Sequence, residues 1–227
     1  MVFKREWNDR KGGAIKYVIG LGPGRCGTTT LAYVLNCQYR ACVTHEGGLP
    51  LPWYKSEPQM FEMNIGKIIN YPGALVGDVA LYYLHYIPEI LSVMPDVKFV
   101  CLQRDYEDTV RSYLQHQKER HVSFSVNKFP AYNSPYLWHY VRPKYNTNDE
   151  EEGLRMYLDE YIEKSETFAK QIPEQFRVYK MEDVLNDEGS QREMLEWIGA
   201  IDPLILTNRK LNKSYGGRHG KDLHKRY

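Results

Sequence analysis

The chain has 227 residues, which suits one α/β domain, and its 42% hydrophobic and 26% charged residues are ordinary for a globular protein. The formal net charge of +1 tells against a general electrostatic attraction to nucleic acid, so any anion binding must come from a local site. The polar N-terminus and the lack of an uncharged stretch of membrane-spanning length predict a cytoplasmic protein without a membrane segment.

The predicted elements alternate between strands and helices. Strands are predicted at 16–21, 41–44, 74–78, 97–102 and 176–179, and helices from Thr28 and at 82–93, 106–120, 149–171 and 191–198. Pro88 should kink or restart the helix predicted at 82–93, and Asp105 should cap the helix at 106–120. Residues 121–149 are predicted to be an irregular insertion and 208–227 a basic tail, which either closes over the site or stays untethered.

This alternation predicts a single domain over 1–227 with a three-layer α/β fold, in which helices flank a central, mostly parallel sheet. Ligands of such sheets bind at the carboxyl ends of the strands. The loops that follow the first four strands should therefore converge on one site.

The four cysteines, at positions 26, 37, 42 and 101, form no CxxC pair. Their pattern is typical of free thiols in a reducing compartment. Cys37 and Cys42 lack two further ligands at suitable spacing, so no metal site is predicted.

The segment from Gly20 to Leu31, GLGPGRCGTTTL, joins the first strand to the first helix. Its four glycines permit a backbone in which successive N–H groups point at one anion, and the helix N-terminus adds partial positive charge. A tight turn needs only one or two glycines. We therefore interpret the segment as a phosphate or sulfate site.

The loop departs from the GxxxxGK[ST] pattern of nucleotide-hydrolysing P-loops. Thr28 occupies the lysine position, and the basic residue of the loop is Arg25. The lysine acts on the outer phosphates of ATP. The exchange disfavours a P-loop nucleotide kinase, which remains an alternative function.

GPGRCGTTTL resembles the GxPRSGTTxL loop of sulfotransferases that use 3′-phosphoadenosine-5′-phosphosulfate (PAPS), where the loop holds the 5′-phosphosulfate. FVCLQRDYEDTVRSYLQH resembles their second signature, an Arg and a Ser eight residues apart that bind the 3′-phosphate, here Arg104 and Ser112. RVYKMEDVLND is similar to a strand and turn near the family's C-terminus. Together these segments extend from Gly22 to Asp187 and follow the order of the family's motifs. They imply a P-loop-like fold and metal-independent sulfuryl transfer to a hydroxyl or amine.

The resemblance assigns PAPS binding to eight residues: Gly24, Arg25, Cys26, Gly27, Thr28, Thr29, Arg104 and Ser112. Cys26 stands where the family usually has Ser, and this exchange supports another alternative, a nucleotide-binding module that has lost catalysis. Arg25 stands where the cytosolic small-molecule members have Lys, so the loop is most similar to the tyrosylprotein and bacterial branches.

Sulfuryl transfer needs positive charge on the transferring group and a base for the acceptor proton. Arg25 is predicted to supply the charge. Glu46 follows the second strand at the spacing of the family's tyrosylprotein base, and His45 competes because imidazole titrates near neutrality. Asp78 is predicted either to orient the acceptor or to cap the next helix.

The acceptor is predicted to be a small molecule, a carbohydrate or a peptide. Residues 47–70 and 121–149 should shape its pocket. The chain also contains 19 tyrosines, for which we favour half-buried packing over an aromatic rim around the acceptor cleft.

Overall fold

The computed structural model describes residues 15–55, 58–120, 123–124 and 140–208, with only the backbone at 117–120. These residues form an α/β fold whose central sheet has five parallel strands in the order β2-β3-β1-β4-β5, which confirms the predicted fold class. The strands are β1 (Lys16–Leu21), β2 (Ala41–His45), β3 (Leu75–Val79), β4 (Lys98–Gln103) and β5 (Phe176–Lys180).

Seven α-helices are found in the described part of the chain. They are α1 (Thr28–Asn36), α2 (Pro58–Ile69), α3 (Ile87–Val93), α4 (Tyr106–Arg120), α5 (Glu150–Gln171), α6 (Met181–Asn186) and α7 (Glu188–Trp197). The sequence predicts five of these helices. It does not predict α2, which contains a glycine, or α6, which has only six residues.

The helix predicted at 82–93 is two helices. A 3₁₀-helix at Leu81–Tyr86 is followed by α3, and Pro88 lies in the first turn of α3. A proline fits there because the first N–H groups of a helix have no intrahelical partner. Pro88 therefore restarts the helix.

Two aspartates cap the long helices. Asp105 Oδ1 accepts a hydrogen bond from the Asp108 N–H at 2.9 Å, which confirms the predicted cap of α4. Asp149 Oδ1 accepts one from the Glu151 N–H at 2.8 Å, so Asp149 is the cap of α5 and not its first residue.

The sheet separates two hydrophobic layers because alternate strand residues face opposite ways. Val18 and Val100 lie in the layer formed with α1, α6 and α7. Ile19 and Phe99 lie in the layer formed with α2–α5 and the 3₁₀-helix. Three layers result, as the strand–helix alternation predicts.

The chain reverses its direction of travel across the sheet at β1. From β1 it runs outward to β2, returns to β3, and then passes to β4 on the other side of β1. The crevice at such a reversal is the usual ligand site of an open parallel sheet. The loop after β1 lies at this point.

The predicted insertion and tail fall mostly outside the described residues, which include only 123–124, 140–149 and Asn208 of them. Phe124 is fully buried, and its carbonyl accepts a hydrogen bond from the Tyr145 N–H at 2.8 Å. Within the described ranges, no helix is both long and apolar enough to cross a membrane.

We predict that Gly77→Ala destabilises the protein by about 3 kcal/mol or more, because overpacking against rigid backbone is destabilising. A Cβ at Gly77 in β3 would lie 1.8 Å from the carbonyl oxygen of Val18 in β1. Urea denaturation of purified variants measures the loss.

Gly66→Ala is the matched control. A Cβ at Gly66 in α2 meets no atom within 4 Å. Because alanine is the better helix former, this variant should gain about 0.5–1 kcal/mol. Equal effects of the two substitutions would contradict the packing of β1 against β3.

Candidate functional site

The loop after β1 has a left-handed backbone at three positions. The φ angles are 88° at Gly24, 58° at Arg25 and 85° at Gly27. Gly27 is the N-cap of α1 and has no side chain with which to bond the first N–H groups of the helix. Such a backbone at a helix N-terminus forms a concave surface that favours an anion.

Three fully buried tyrosines form hydrogen bonds with this loop from the side of the hydrophobic core. Tyr161 accepts a hydrogen bond from the Gly22 N–H at 2.9 Å and donates one to the Leu81 carbonyl at 3.2 Å. Tyr113 and Tyr157 both donate to the Pro23 carbonyl, the latter at 2.8 Å. The loop backbone is therefore bonded to α4 and α5 even though it is rich in glycine.

The sequence predicts tyrosine packing in general, without these contacts. Tyr157 and Tyr161 are four residues apart in α5, with Leu154 and Leu158 on the same buried face. That spacing signals a buried stripe. It does not signal that the stripe lies under a loop 139 residues away.

The Cys26 side chain faces the hydrophobic core and not the concave side of the loop. Its thiol is fully buried in the layer of α1 and α6, and burial raises its pKa to about 12. The thiol therefore stays protonated at neutral pH. Any contact of Cys26 with an anion would use its backbone N–H.

Arg25 joins the two sequence motifs. Its Nε donates to Ser112 Oγ in α4 at 3.1 Å, and Arg104 Nη1 donates to the Arg25 carbonyl at 3.3 Å. The loop arginine and the Arg–Ser pair, distant in sequence, therefore lie beside one another at the carboxyl edge of the sheet.

Arg104 retains unused hydrogen-bonding capacity. Its guanidinium lies 3.8 Å from Asp108 Oδ2 and 4.0 Å from Glu182 Oε1. Its Nε is buried and, among the described residues, has no hydrogen-bond partner. A buried donor without a partner is unfavourable unless a ligand or water supplies the acceptor.

His45 lies against the first turn of α1. Its Nε2 is 3.3 Å from Thr28 Oγ1 and 3.5 Å from Thr29 Oγ1. Its Nδ1 is 4.0 Å from Glu46 Oε2. The imidazole therefore stands between the loop hydroxyls and the carboxylate.

Glu46 has a left-handed backbone, with φ 53°, which is unfavourable for a residue with a side chain. Burial raises the pKa of its carboxyl above the usual value, and the neighbouring charges of His45 and Arg142 oppose the rise. A carboxylate with a raised pKa is a stronger base than an exposed one.

Asp78 holds the turn that carries these two residues. Its Oδ1 accepts from Thr44 Oγ1 at 2.6 Å and from the Gly47 N–H at 3.1 Å, so it bonds on both sides of His45 and Glu46. Its Oδ2 accepts from the Tyr83 hydroxyl at 2.8 Å. The predicted cap is wrong, since Ala80 occupies the N-cap of the following 3₁₀-helix.

Arg142 is a candidate site residue that the sequence does not reveal. Its positive charge opposes the rise that burial causes in the pKa of the Tyr113 hydroxyl and of the Glu46 carboxyl. Residue 142 lies in the stretch predicted as an irregular insertion, where no periodicity points to any position.

Within the described ranges, no three His, Cys, Asp or Glu side chains are grouped as metal ligands. Cys37 and Cys42 are half-buried free thiols.

The fold is similar to that of a solved sulfotransferase. A sulfotransferase from Alicyclobacillus acidocaldarius aligns with a TM-score of 0.56 and 15% identity, over 88% of this chain and 87% of that one. The mouse sulfotransferase SULT7A1 complexed with PAP aligns with a TM-score of 0.49 and 15% identity, over 82% of this chain and 60% of that one. No protein-family model and no curated protein matches the sequence. The first structure shows that this chain has a sulfotransferase fold.

We predict that Tyr161→Phe lowers the free energy of unfolding by about 1–2 kcal/mol, because the buried Gly22 N–H loses its acceptor. It should also weaken binding of adenosine 3′,5′-bisphosphate, the nucleotide that remains when PAPS loses its sulfuryl group, because the loop backbone is then less restrained. Thermal denaturation and calorimetry measure the two effects.

Tyr86→Phe is the control for the second effect. Tyr86 is also buried, and its hydroxyl donates to the Pro52 carbonyl at 2.7 Å, away from the loop. This variant should lose similar stability and keep its nucleotide affinity. Equal losses of affinity in both variants would show that the tyrosine contact under the loop has no bearing on binding.

Proposed function

We propose that this protein transfers a sulfuryl group from PAPS to a hydroxyl or amine acceptor, with the whole chain acting as one sulfotransferase-like domain. The observation that carries the proposal is the hydrogen bond between Arg25 and Ser112. It joins a concave, anion-favouring loop to a second cluster of anion-binding groups. A nucleotide with phosphates at both its 5′ and 3′ ends needs two such clusters.

The 5′-phosphosulfate lies on the loop in this proposal. Its oxygens accept from backbone N–H groups between Gly24 and Thr29, and Arg25 supplies a positive charge at the transferring group. The 3′-phosphate is bound by Arg104 and Ser112. The buried Nε of Arg104 supports this role, because a phosphate oxygen supplies the acceptor it lacks among the described residues.

The reaction forms a bond between the acceptor atom and sulfur and breaks the bond between sulfur and the bridging oxygen. The electron pair of the broken bond leaves with the 5′-phosphate of adenosine 3′,5′-bisphosphate. Glu46 takes the proton of the acceptor, supported by the raised pKa of its carboxyl. His45, which faces Thr28 and Thr29, is the alternative base.

The two alternative functions have less support. Thr28 at the lysine position tells against a P-loop kinase, which should prefer ATP with Mg²⁺. The hypothesis of a nucleotide-binding module that has lost catalysis rests mainly on Cys26. Because the thiol is buried in the core, a serine hydroxyl at this place would also face away from the concave side of the loop. The exchange of Ser for Cys therefore removes no contact on which catalysis depends.

We predict magnesium-independent binding of adenosine 3′,5′-bisphosphate, which Arg104→Ala weakens by about 2–3 kcal/mol, as expected for a charge-assisted contact. Binding of 5′-AMP, which lacks the 3′-phosphate, should change little. Isothermal titration calorimetry measures both ligands with and without Mg²⁺.

Arg177→Ala is the control for the loss of an arginine. Arg177 lies on β5 and pairs with Glu193. Its removal should leave both affinities unchanged. If 5′-AMP bound the unmodified protein as tightly as the bisphosphate, Arg104 and Ser112 would have no role in binding a 3′-phosphate.

We predict that Glu46→Gln lowers turnover at least ~100-fold, the usual range for losing a general base, and that His45→Asn lowers it less than ~10-fold. Both variants should bind adenosine 3′,5′-bisphosphate normally. The measurement is release of labelled sulfate from PAPS with water as acceptor, which needs no knowledge of the natural acceptor. The reverse order of effects would make His45 the base.

Stability provides an independent check on Glu46. A carboxyl whose pKa is raised in the folded state stabilises the protein below the unfolded pKa, and this contribution is lost as the pH rises through the folded pKa. Because glutamine does not ionise, Glu46→Gln removes this pH-dependent loss of stability. The variant should therefore gain stability relative to the unmodified protein between pH 4 and pH 8, as thermal denaturation across this range would record.

A further inference from the structure

The carboxylate of Glu182 lies beside Arg104, to which the 3′-phosphate is assigned above. Glu182 is in the first turn of α6, which follows β5 directly. In the parallel pair of β4 and β5, Gln103 is opposite Lys180. Arg104 and Met181 therefore leave the sheet side by side, and Glu182 comes next in the chain. The side chains agree with this register, since Glu182 Oε1 is 4.0 Å from Arg104 Nε.

Helix α6 also packs against the loop after β1. A Cβ at Gly27 would lie 2.7 Å from Leu185 Cδ1 and 2.9 Å from Met181 Cγ, both in α6. Gly27 is the N-cap of α1, where the loop ends. The negative charge of Glu182 therefore stands at the carboxyl edge of the sheet, between two groups that favour an anion.

Arg104 has a second carboxylate neighbour, whose charge is balanced in another way. Asp108 Oδ2 is 3.8 Å from Arg104 Nη2, and Asp108 Oδ1 accepts a hydrogen bond from Arg111. Glu182 forms an ion pair with Arg104 and, within the described ranges, with no other cation. Of the two carboxylates, Glu182 is thus the one whose negative charge bears on Arg104 alone.

This ion pair does little to orient Arg104. Its two atoms are too far apart for a hydrogen bond, and 48% of the Glu182 side chain is exposed. Exposed ion pairs contribute little to the stability of a conformation. Orientation comes instead from the hydrogen bond of Arg104 Nη1 to the Arg25 carbonyl at 3.3 Å. A phosphate bound to Arg104, by contrast, would carry up to two negative charges beside the carboxylate, and like charges repel.

We propose that Glu182 sets the affinity of the site for 3′-phosphorylated nucleotides, by repelling the phosphate that Arg104 attracts. The inference rests on the proposed function and concerns the same site. Its consequence is release of the product. Adenosine 3′,5′-bisphosphate keeps its 3′-phosphate after transfer, so the contacts with this phosphate must break before the next PAPS molecule binds. Product release is often the slow step of an enzyme, and a carboxylate beside the phosphate speeds it.

The test changes the charge at position 182 in steps. Isothermal titration calorimetry measures adenosine 3′,5′-bisphosphate and 5′-AMP with the unmodified protein, Glu182→Gln and Glu182→Lys, at low and high salt. A chase of labelled bisphosphate with unlabelled bisphosphate gives its dissociation rate. Glu193→Gln is the matched control, because Glu193 on α7 also pairs with an arginine, Arg177 on β5.

Glu182→Gln should bind the bisphosphate at least ~5-fold more tightly at low salt, and the gain should shrink below ~2-fold at high salt, where ions screen exposed charges. Glu182→Lys should bind it more tightly still. The dissociation rate should fall with each step. The affinity for 5′-AMP, which lacks the 3′-phosphate, should change less than ~2-fold in both variants. The control should match the unmodified protein.

An unchanged or weaker affinity for the bisphosphate in folded Glu182→Gln would overturn the proposal. A residue that served only to position Arg104 would give that loss, in Glu182→Lys as well. An equal gain for 5′-AMP would also overturn it, since the repulsion would then not concern the 3′-phosphate. If Glu182→Lys does not fold, Glu182→Gln decides alone. If the unmodified protein binds the bisphosphate no more tightly than 5′-AMP, the 3′-phosphate site of the proposed function fails, and the inference with it.

Discussion

The site depends on a backbone that glycine makes possible and buried tyrosines make rigid. The loop after β1 turns through left-handed residues, which lets its N–H groups face one side. The same freedom would leave it poorly ordered, because glycine loses the most conformational entropy on folding. Hydroxyls of Tyr113, Tyr157 and Tyr161 bond the neighbouring backbone at Gly22 and Pro23 from the core side.

A second restraint of the same kind acts on the turn after β2. Asp78 bonds Thr44 and Gly47, which bracket His45 and Glu46, while Glu46 itself keeps an unfavourable left-handed backbone. Strain of this kind persists only where surrounding contacts hold it, and it is common at functional sites. Both candidate bases therefore sit on a turn whose geometry is imposed by β3.

Charge at the site is local, in keeping with the near-neutral chain. Arg25 and Arg104 lie together at the loop while the formal net charge is only +1. Hydrogen bonds orient Arg25 and Arg104, and the Nε atoms of Arg104 and Arg142 have no hydrogen-bond partner among the described residues. Donors fixed in advance and shielded from water act more strongly on an anion than mobile surface charges do.

Local signals in the sequence determined the fold class, the glycine loop and most strands and helices. The apolar run of β4 and the Asp105 cap of α4 depend on neighbouring residues, so they can be predicted from the sequence alone. Contacts across the fold could not be read. Tyr161 bonds Gly22 across 139 positions of the chain, and the charge of Arg142 acts on Glu46 from a segment without periodicity. Such contacts depend on how helices pack on the sheet, and only the tertiary structure decides that.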